Sequence, residues 1–117
     1  MQLRDVIKAI DGTLLTPQSN LDRDIPHVAS SDLMSDVLAF SAPHALLVTG
    51  LVNSHVIHTA ELAELAAIVF ARGKAPANGL VKLAEEKGLP LISSPCTMFE
   101  ICGRLFGAGL AACPSRL

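Results

Sequence analysis

Three clusters of small and polar residues each follow a short apolar run: Thr49-Gly50 with Asn53, Arg72-Gly73-Lys74, and Ser93-Ser94-Pro95 leading into Cys96-Thr97. Glycine lets a ligand approach the backbone closely, and the free N–H groups at a helix start favour an anion. An arginine just past a buried strand can hold a phosphate or carboxylate through two parallel hydrogen bonds. Hydroxyls at the third cluster add donors and acceptors. Together these residue types suit non-covalent capture of a small anion. Each also has a plain structural use: Gly50 in a tight turn, Asn53 or Thr97 as a helix cap, Arg72 as a solvated charge or ion-pair partner.

Catalysis has less to draw on. Cys96 sits where a helix N-terminus lowers a thiol pKa, but a nucleophile needs a base and none stands beside it in the chain. His55 and His58 are spaced to share a helix face, and His27 and His44 precede other elements. A metal would need further ligands, and no HExxH or Cys/His cluster supplies them. Asp32 and Asp36 place two carboxylates on one helix face, suited to acid–base work, to a cation, or to solvent alone. Of the two, Asp32 directly follows a strand and falls near the proposed site. The phosphate loop GxxxxGKS/T, the dinucleotide fingerprint GxGxxG and the GxSxG elbow are all missing. No catalytic residue, metal or cofactor is therefore assigned.

The elements that must position these clusters follow from the apolar pattern. Runs at residues 45–48, 67–70 and 89–92 end in turn chemistry and alternate with helix-like stretches, the rhythm of buried parallel strands. In a parallel sheet all strand carboxyl ends lie on one edge, and the helix N-termini point there too. The three clusters should converge on that edge. Leu3, Val6, Ile7 and Ile10 mark a first helix that Gly12 can end. Residues 13–16 suit a short strand, and residues 25–30 a second one that Pro26 pushes toward an edge or a late start. Ser31 or Asp32 can cap the helix of Leu33, Met34, Val37 and Leu38; Asn53 or Ser54 the next; Asn78 the one after. Thr97-Met98-Phe99-Glu100 is a capping box opening the last helix, which Gly107 and Gly109 end. Residues 110–117 are expected to be a loose tail.

The 117 residues suffice for one domain with a single core. Half the residues are hydrophobic and mean hydropathy is +0.47, yet the longest apolar run, residues 65–71, is far below the roughly 18 residues that span a bilayer. No export signal is recognisable, and the three cysteines follow no disulfide or zinc spacing, so a cytoplasmic location with reduced thiols is expected. A net charge of −2, no Trp or Tyr, and four Phe leave neither a basic patch nor stacking aromatics, which argues against nucleic acid. The surplus of apolar residues predicts a subunit interface, taken as a homodimer.

Several segments resemble the DRTGG domain in order and spacing. They are the run ASSDLMSDVLA from Ala29 to Ala39, Leu46-Leu47-Val48-Thr49-Gly50, the stretch from Glu61 to Gly73, Pro90-Leu91-Ile92-Ser93-Ser94 through Glu100, and Gly103-Arg104-Leu105. The resemblance covers about residues 3–109. It places Thr49-Gly50 and Gly73 against the family's name-giving residues, with Asp32 and Arg72 matched by context and Asp22-Arg23 a literal Asp-Arg pair. DRTGG domains are similar to the N-terminal domain of HPr kinase/phosphorylase and, more distantly, to uridine-nucleotide-binding domains of muramoyl-peptide ligases. They occur fused to phosphotransacetylase and to CBS-domain pairs, or as small separate proteins. The resemblance implies an α/β fold and a regulatory or ligand-sensing role. It does not imply kinase chemistry, which in HPr kinase belongs to a separate P-loop domain.

The reading is a single three-layer α/β domain over residues 1–117, with a largely parallel sheet of four or five strands and helices on both faces. The expected function is non-catalytic binding of a small anionic ligand, a nucleotide or phosphorylated metabolite, by Asp32, Thr49, Gly50, Asn53, Arg72, Gly73 and Ser93. Arg72 would pair with the anion and Asp32 would orient a sugar hydroxyl or Arg72 itself. The alternative is an interaction module that self-associates or docks on a larger enzyme and binds no small molecule; an enzyme using Cys96 or a histidine ranks third.

Overall fold

In the computed structural model, which describes residues 1–114, eleven short elements alternate along the chain. They are α1 (Leu3–Ala9), β1 (Thr13–Leu14), β2 (His27–Ser30), α2 (Met34–Phe40), β3 (Leu46–Thr49), α3 (Ser54–Leu62), β4 (Ala67–Phe70), α4 (Asn78–Glu86), β5 (Leu91–Ser93), α5 (Met98–Gly107) and β6 (Ala111–Ala112). The strands form one sheet in the order β1-β5-β4-β3-β2-β6, in which β1 runs antiparallel to β5 and every other pairing is parallel.

The fold follows from burial on both sides of that sheet. Every residue of β3 and β4 is buried, as their unbroken apolar runs require. Alternate residues serve opposite faces. Leu46, Val48, Ala67, Val69 and Ile92 join a core with Leu3, Val6, Ile101 and Leu105 of α1 and α5. Leu47, Ile68, Phe70 and Leu91 meet Met34, Val37, Val56, Ile57 and Ala84 of α2, α3 and α4. The distribution of helices obeys a single crossover hand. The chain steps from β2 through β3 and β4 to β5 in one direction, which lays α2, α3 and α4 on one face. It then returns across the sheet from β5 to β6, and reversing the direction of travel puts α5 on the other face.

The helix boundaries show which local signals won. Thr97 and Glu100 form the expected capping box on α5: the Glu100 amide donates to Thr97 Oγ1 at 3.2 Å and the Thr97 amide to Glu100 Oε1 at 3.5 Å. Asn53 caps α3, accepting from the Val56 amide at 3.3 Å. The other capping expectations shift. The cap position of α2 is Leu33 and that of α4 is Ala77, neither with a side-chain hydrogen bond, so Asn78 is the first helical residue and Asp32 is free for another use. At the end of α1 it is Asp11, not Gly12, that adopts the left-handed backbone (φ 52°). Gly12 answers to packing: a Cβ there would lie 2.8 Å from Ile92 Cγ2.

Two further differences concern the edges of the sheet. It has six strands, one more than the upper expectation of five, because residues expected in a loose tail instead place Ala111–Ala112 beside β2. Residues 115–117 of that tail lie outside the described residues. Pro26 delays β2 to His27, but β2 is not an edge strand, since β6 covers it.

Candidate functional site

Parallel register brings the carboxyl ends of β2, β3 and β4 side by side. Ser30 of β2 pairs with Val48 of β3, and Thr49 of β3 with Phe70 of β4. The residues just beyond must therefore meet: Ser31-Asp32, Thr49-Gly50 and Ala71-Arg72-Gly73-Lys74. The Ser31 amide donates to the Val48 carbonyl at 3.2 Å and the Ala71 amide to the Thr49 carbonyl at 3.0 Å, continuing the ladder past the strands.

Asp32 organises this edge. Its Oδ1 accepts the Gly50 amide at 2.7 Å and the Thr49 hydroxyl at 2.9 Å, while Thr49 Oγ1 accepts from the Leu51 amide at 3.2 Å. Thr49 is fully buried and Asp32 is exposed, so the carboxylate satisfies a buried hydroxyl from the solvent side. Its second oxygen has no hydrogen-bond partner among the described residues and remains available to a donor. From the opposite side, Lys74 donates its ammonium to the Gly50 carbonyl at 3.0 Å. A Cβ built on Gly50 would lie 3.5 Å from both Asp32 carboxylate oxygens and 3.5 Å from Lys74 Nζ, so both charged groups border one backbone position without forming an ion pair with each other. That spacing is ordinary contact; glycine here is not demanded by a clash.

The neighbouring loops are stitched together. Adjacent strands β4 and β5 send their chains to opposite faces, the kind of switch point where open α/β sheets form a crevice. Here the crevice is bridged: the Arg72 amide donates to the Cys96 carbonyl at 2.8 Å, the Gly73 amide to the Ser94 carbonyl at 2.7 Å, and the Ser93 hydroxyl to the Lys74 carbonyl at 2.7 Å. These bonds hold Arg72 and Gly73 in the left-handed region, at φ 61° and 69°. For Gly73 this is easy; for Arg72 it is strained and is imposed by the stitching. The Arg72 guanidinium is exposed and makes no ion pair or hydrogen bond within the described residues.

The anticipated residues thus fall into three groups. Asp32, Thr49 and Gly50 form one hydrogen-bonded unit. Arg72, Gly73 and Ser93 belong to the adjoining stitched loops, where the Ser93 hydroxyl is already engaged. Asn53 is exposed at the start of α3 and spends its carbonyl oxygen on the cap. Lys74 is the residue that sequence reasoning passed over. Its signal was its place two positions after Arg72, but nothing local said that its side chain would turn back onto Gly50.

Other polar groups serve the framework. The buried Ser94 hydroxyl donates to the Ile10 carbonyl at 2.7 Å and accepts the Cys96 amide at 3.2 Å, and the buried Cys96 thiol faces the same carbonyl. Arg104 donates to Asp11 Oδ2 at 3.0 Å, tying α5 to the end of α1; that hydrogen bond leads the influences raising the guanidinium pKa still further. His55 and His58 are exposed, and no group of three or more His, Cys, Asp or Glu among the described residues is placed to hold a metal. No helix of the described residues is long and apolar enough to cross a membrane.

The chain is thus a doubly wound α/β domain with charged loops gathered at the carboxyl edge of its sheet. The chain matches the DRTGG domain model over residues 5–107 and belongs to that family. Among solved structures it is similar to the CBS and DRTGG domains of the regulatory region of Clostridium perfringens pyrophosphatase, complexed with the activator diadenosine tetraphosphate. That likeness has a TM-score of 0.74 at 12% identity and covers 89% of this chain. It is a likeness of fold, and the chain corresponds to 45% of that longer one. No curated protein matches the chain.

Proposed function

We propose that this chain is a non-catalytic regulatory domain of the cytoplasm that binds a small anionic ligand, a nucleotide or phosphorylated metabolite, at the carboxyl edge of its sheet. The carrying observation is that Asp32 and Lys74 both bond the backbone of Gly50, with the unpaired Arg72 guanidinium two residues from Lys74. Lys74 and Arg72 supply positive charge for a phosphate, and Lys74 keeps two further N–H donors after bonding Gly50. The uncommitted oxygen of Asp32 suits a sugar hydroxyl. Asn53 offers its amide N–H groups from the helix start, while Thr49, Gly73 and Ser93 hold the loops in place. Family membership supports the regulatory reading, and the fold neighbour is itself a regulatory region crystallised with a nucleotide activator.

A thermal-shift screen against nucleotides, sugar nucleotides, acyl phosphates and simple anions tests this. A ligand present at a hundred times its Kd stabilises the native state by about 2.7 kcal/mol. The expected result is a rise in Tm with a phosphorylated compound that is lost in Arg72→Ala and in Lys74→Ala. A rise that both variants retain removes these side chains from the site, and silence across the panel removes the ligand.

A second reading, an interaction module, has its own support in the exposed Phe40, Phe99 and Phe106. Docking on a larger enzyme belongs to it.

A further inference from the structure

Three of the four phenylalanines are exposed, and all three flank one strand. Phe99 (87% exposed) and Phe106 (77%), two turns apart on α5, line a groove of about 440 Å³ with Val28, Cys102, Leu110 and Ala111–Ala112. No charged side chain lines it. On the other face of the sheet Phe40 (59%) borders a second groove that also reaches Ala112. Between the grooves runs β6, the outermost strand.

Among the described residues nothing pairs with the outer edge of β6. The Cys113 amide donates to the Val28 carbonyl at 3.2 Å, so Cys113 and, by strand alternation, Ala111 turn their backbone groups toward β2. Ala112 between them presents its N–H and C=O outward. Edge strands of monomers are usually blunted by charge, bulges or covering segments. Residues 110–113 carry no charge, and the proline at 114 limits further pairing without covering Ala112.

We infer that β6 is the centre of a two-fold interface between two copies of this chain, in which Ala112 pairs with Ala112 of the second copy in antiparallel fashion and the two six-stranded sheets become continuous. The axis is perpendicular to the sheet. It brings Phe99 and Phe106 against the same residues of the other copy on one face, and Phe40 toward its equivalent on the other. A lone partner helix would cover one face; a second copy covers both, and an identical edge supplies the matching donor and acceptor. The area fits as well. At about 200 Å² per ring the three phenylalanines expose on the order of 450 Å². This is more than half of the roughly 800 Å² that each partner contributes to a standard interface, the rest coming from the strand edge and the face of α5. The inference does not depend on the ligand-binding reading.

Sedimentation velocity over a dilution series of the full chain tests it without any ligand. The expected result is a species of twice 12.3 kDa that becomes monomeric in Phe99→Glu/Phe106→Glu. Ala112→Pro removes a donor that the protomer itself does not use, so it should also yield a folded monomer, with circular dichroism reporting the fold. Leu62→Glu, at an exposed apolar position on α3 away from both grooves, should leave the dimer intact. A monomeric wild type overturns the interface, as does a dimer that survives either the phenylalanine pair or the proline substitution.

Discussion

Asp32 Oδ1 accepts the Gly50 amide at 2.7 Å from eighteen residues away, and the same oxygen takes the hydroxyl of Thr49. One exposed carboxylate thereby closes the end of β3 and anchors the loop that follows β2. Lys74 reaches the same turn from the loop after β4, donating to the Gly50 carbonyl at 3.0 Å. A side chain with so many duties should report on both stability and binding.

Asp32→Ala should lower stability by about 1–3 kcal/mol, because the buried Thr49 hydroxyl loses its acceptor. Asp32→Asn keeps a carbonyl oxygen for that purpose and should lose less. Urea denaturation of both variants measures the difference. Equal losses would mean that the charge, and not the hydrogen bond, holds the loop.

Arg72→Gly separates strain from binding. A left-handed backbone costs a non-glycine residue about 1–2 kcal/mol, which glycine relieves. Glycine gives back roughly 0.5–1 kcal/mol by loosening the unfolded chain. The variant should therefore be as stable as the wild type or slightly more so, while its response to a phosphorylated ligand disappears. A clear loss of stability would show that the arginine side chain supports the fold.

Ser94→Ala should behave in the opposite way. It strips the Cys96 amide and the Ile10 carbonyl of a buried partner, at a cost of about 1–3 kcal/mol. The ligand response, compared at equal distance below Tm, should not change. Loss of binding at unchanged stability would move Ser94 from the framework into the site.

Gly12→Ala tests whether packing or backbone freedom selects this glycine. The added methyl would meet Ile92 Cγ2 at 2.8 Å and the Ile7 carbonyl at 3.3 Å. Forcing a methyl into a filled core costs typically 1–3 kcal/mol, visible as a lower denaturation midpoint. A neutral outcome would mean that β5 and α1 move apart freely.

What local pattern can specify was legible in the chain. Buried strands announced themselves in apolar runs 45–48 and 67–70 because each needs cover on both faces. The Thr97–Glu100 box started α5 because its two hydrogen bonds close within four residues. The alternation of strands and helices placed Asp32, Thr49, Gly50, Arg72, Gly73 and Ser93 on one edge, since parallel strands all end there. Tertiary structure decided which of them touch. Register between β2, β3 and β4 joins Asp32 to Gly50 across eighteen residues and Lys74 to Gly50 across twenty-four, distances over which no periodicity carries information. It also turned Asp32 from an expected helix cap into the acceptor for β3, explained Gly12 by a neighbour on β5, and drew residues 111–112 out of a supposed tail into the sheet. Hydrophobic spacing says which residues must leave water; only the folded neighbours say what each polar group then meets.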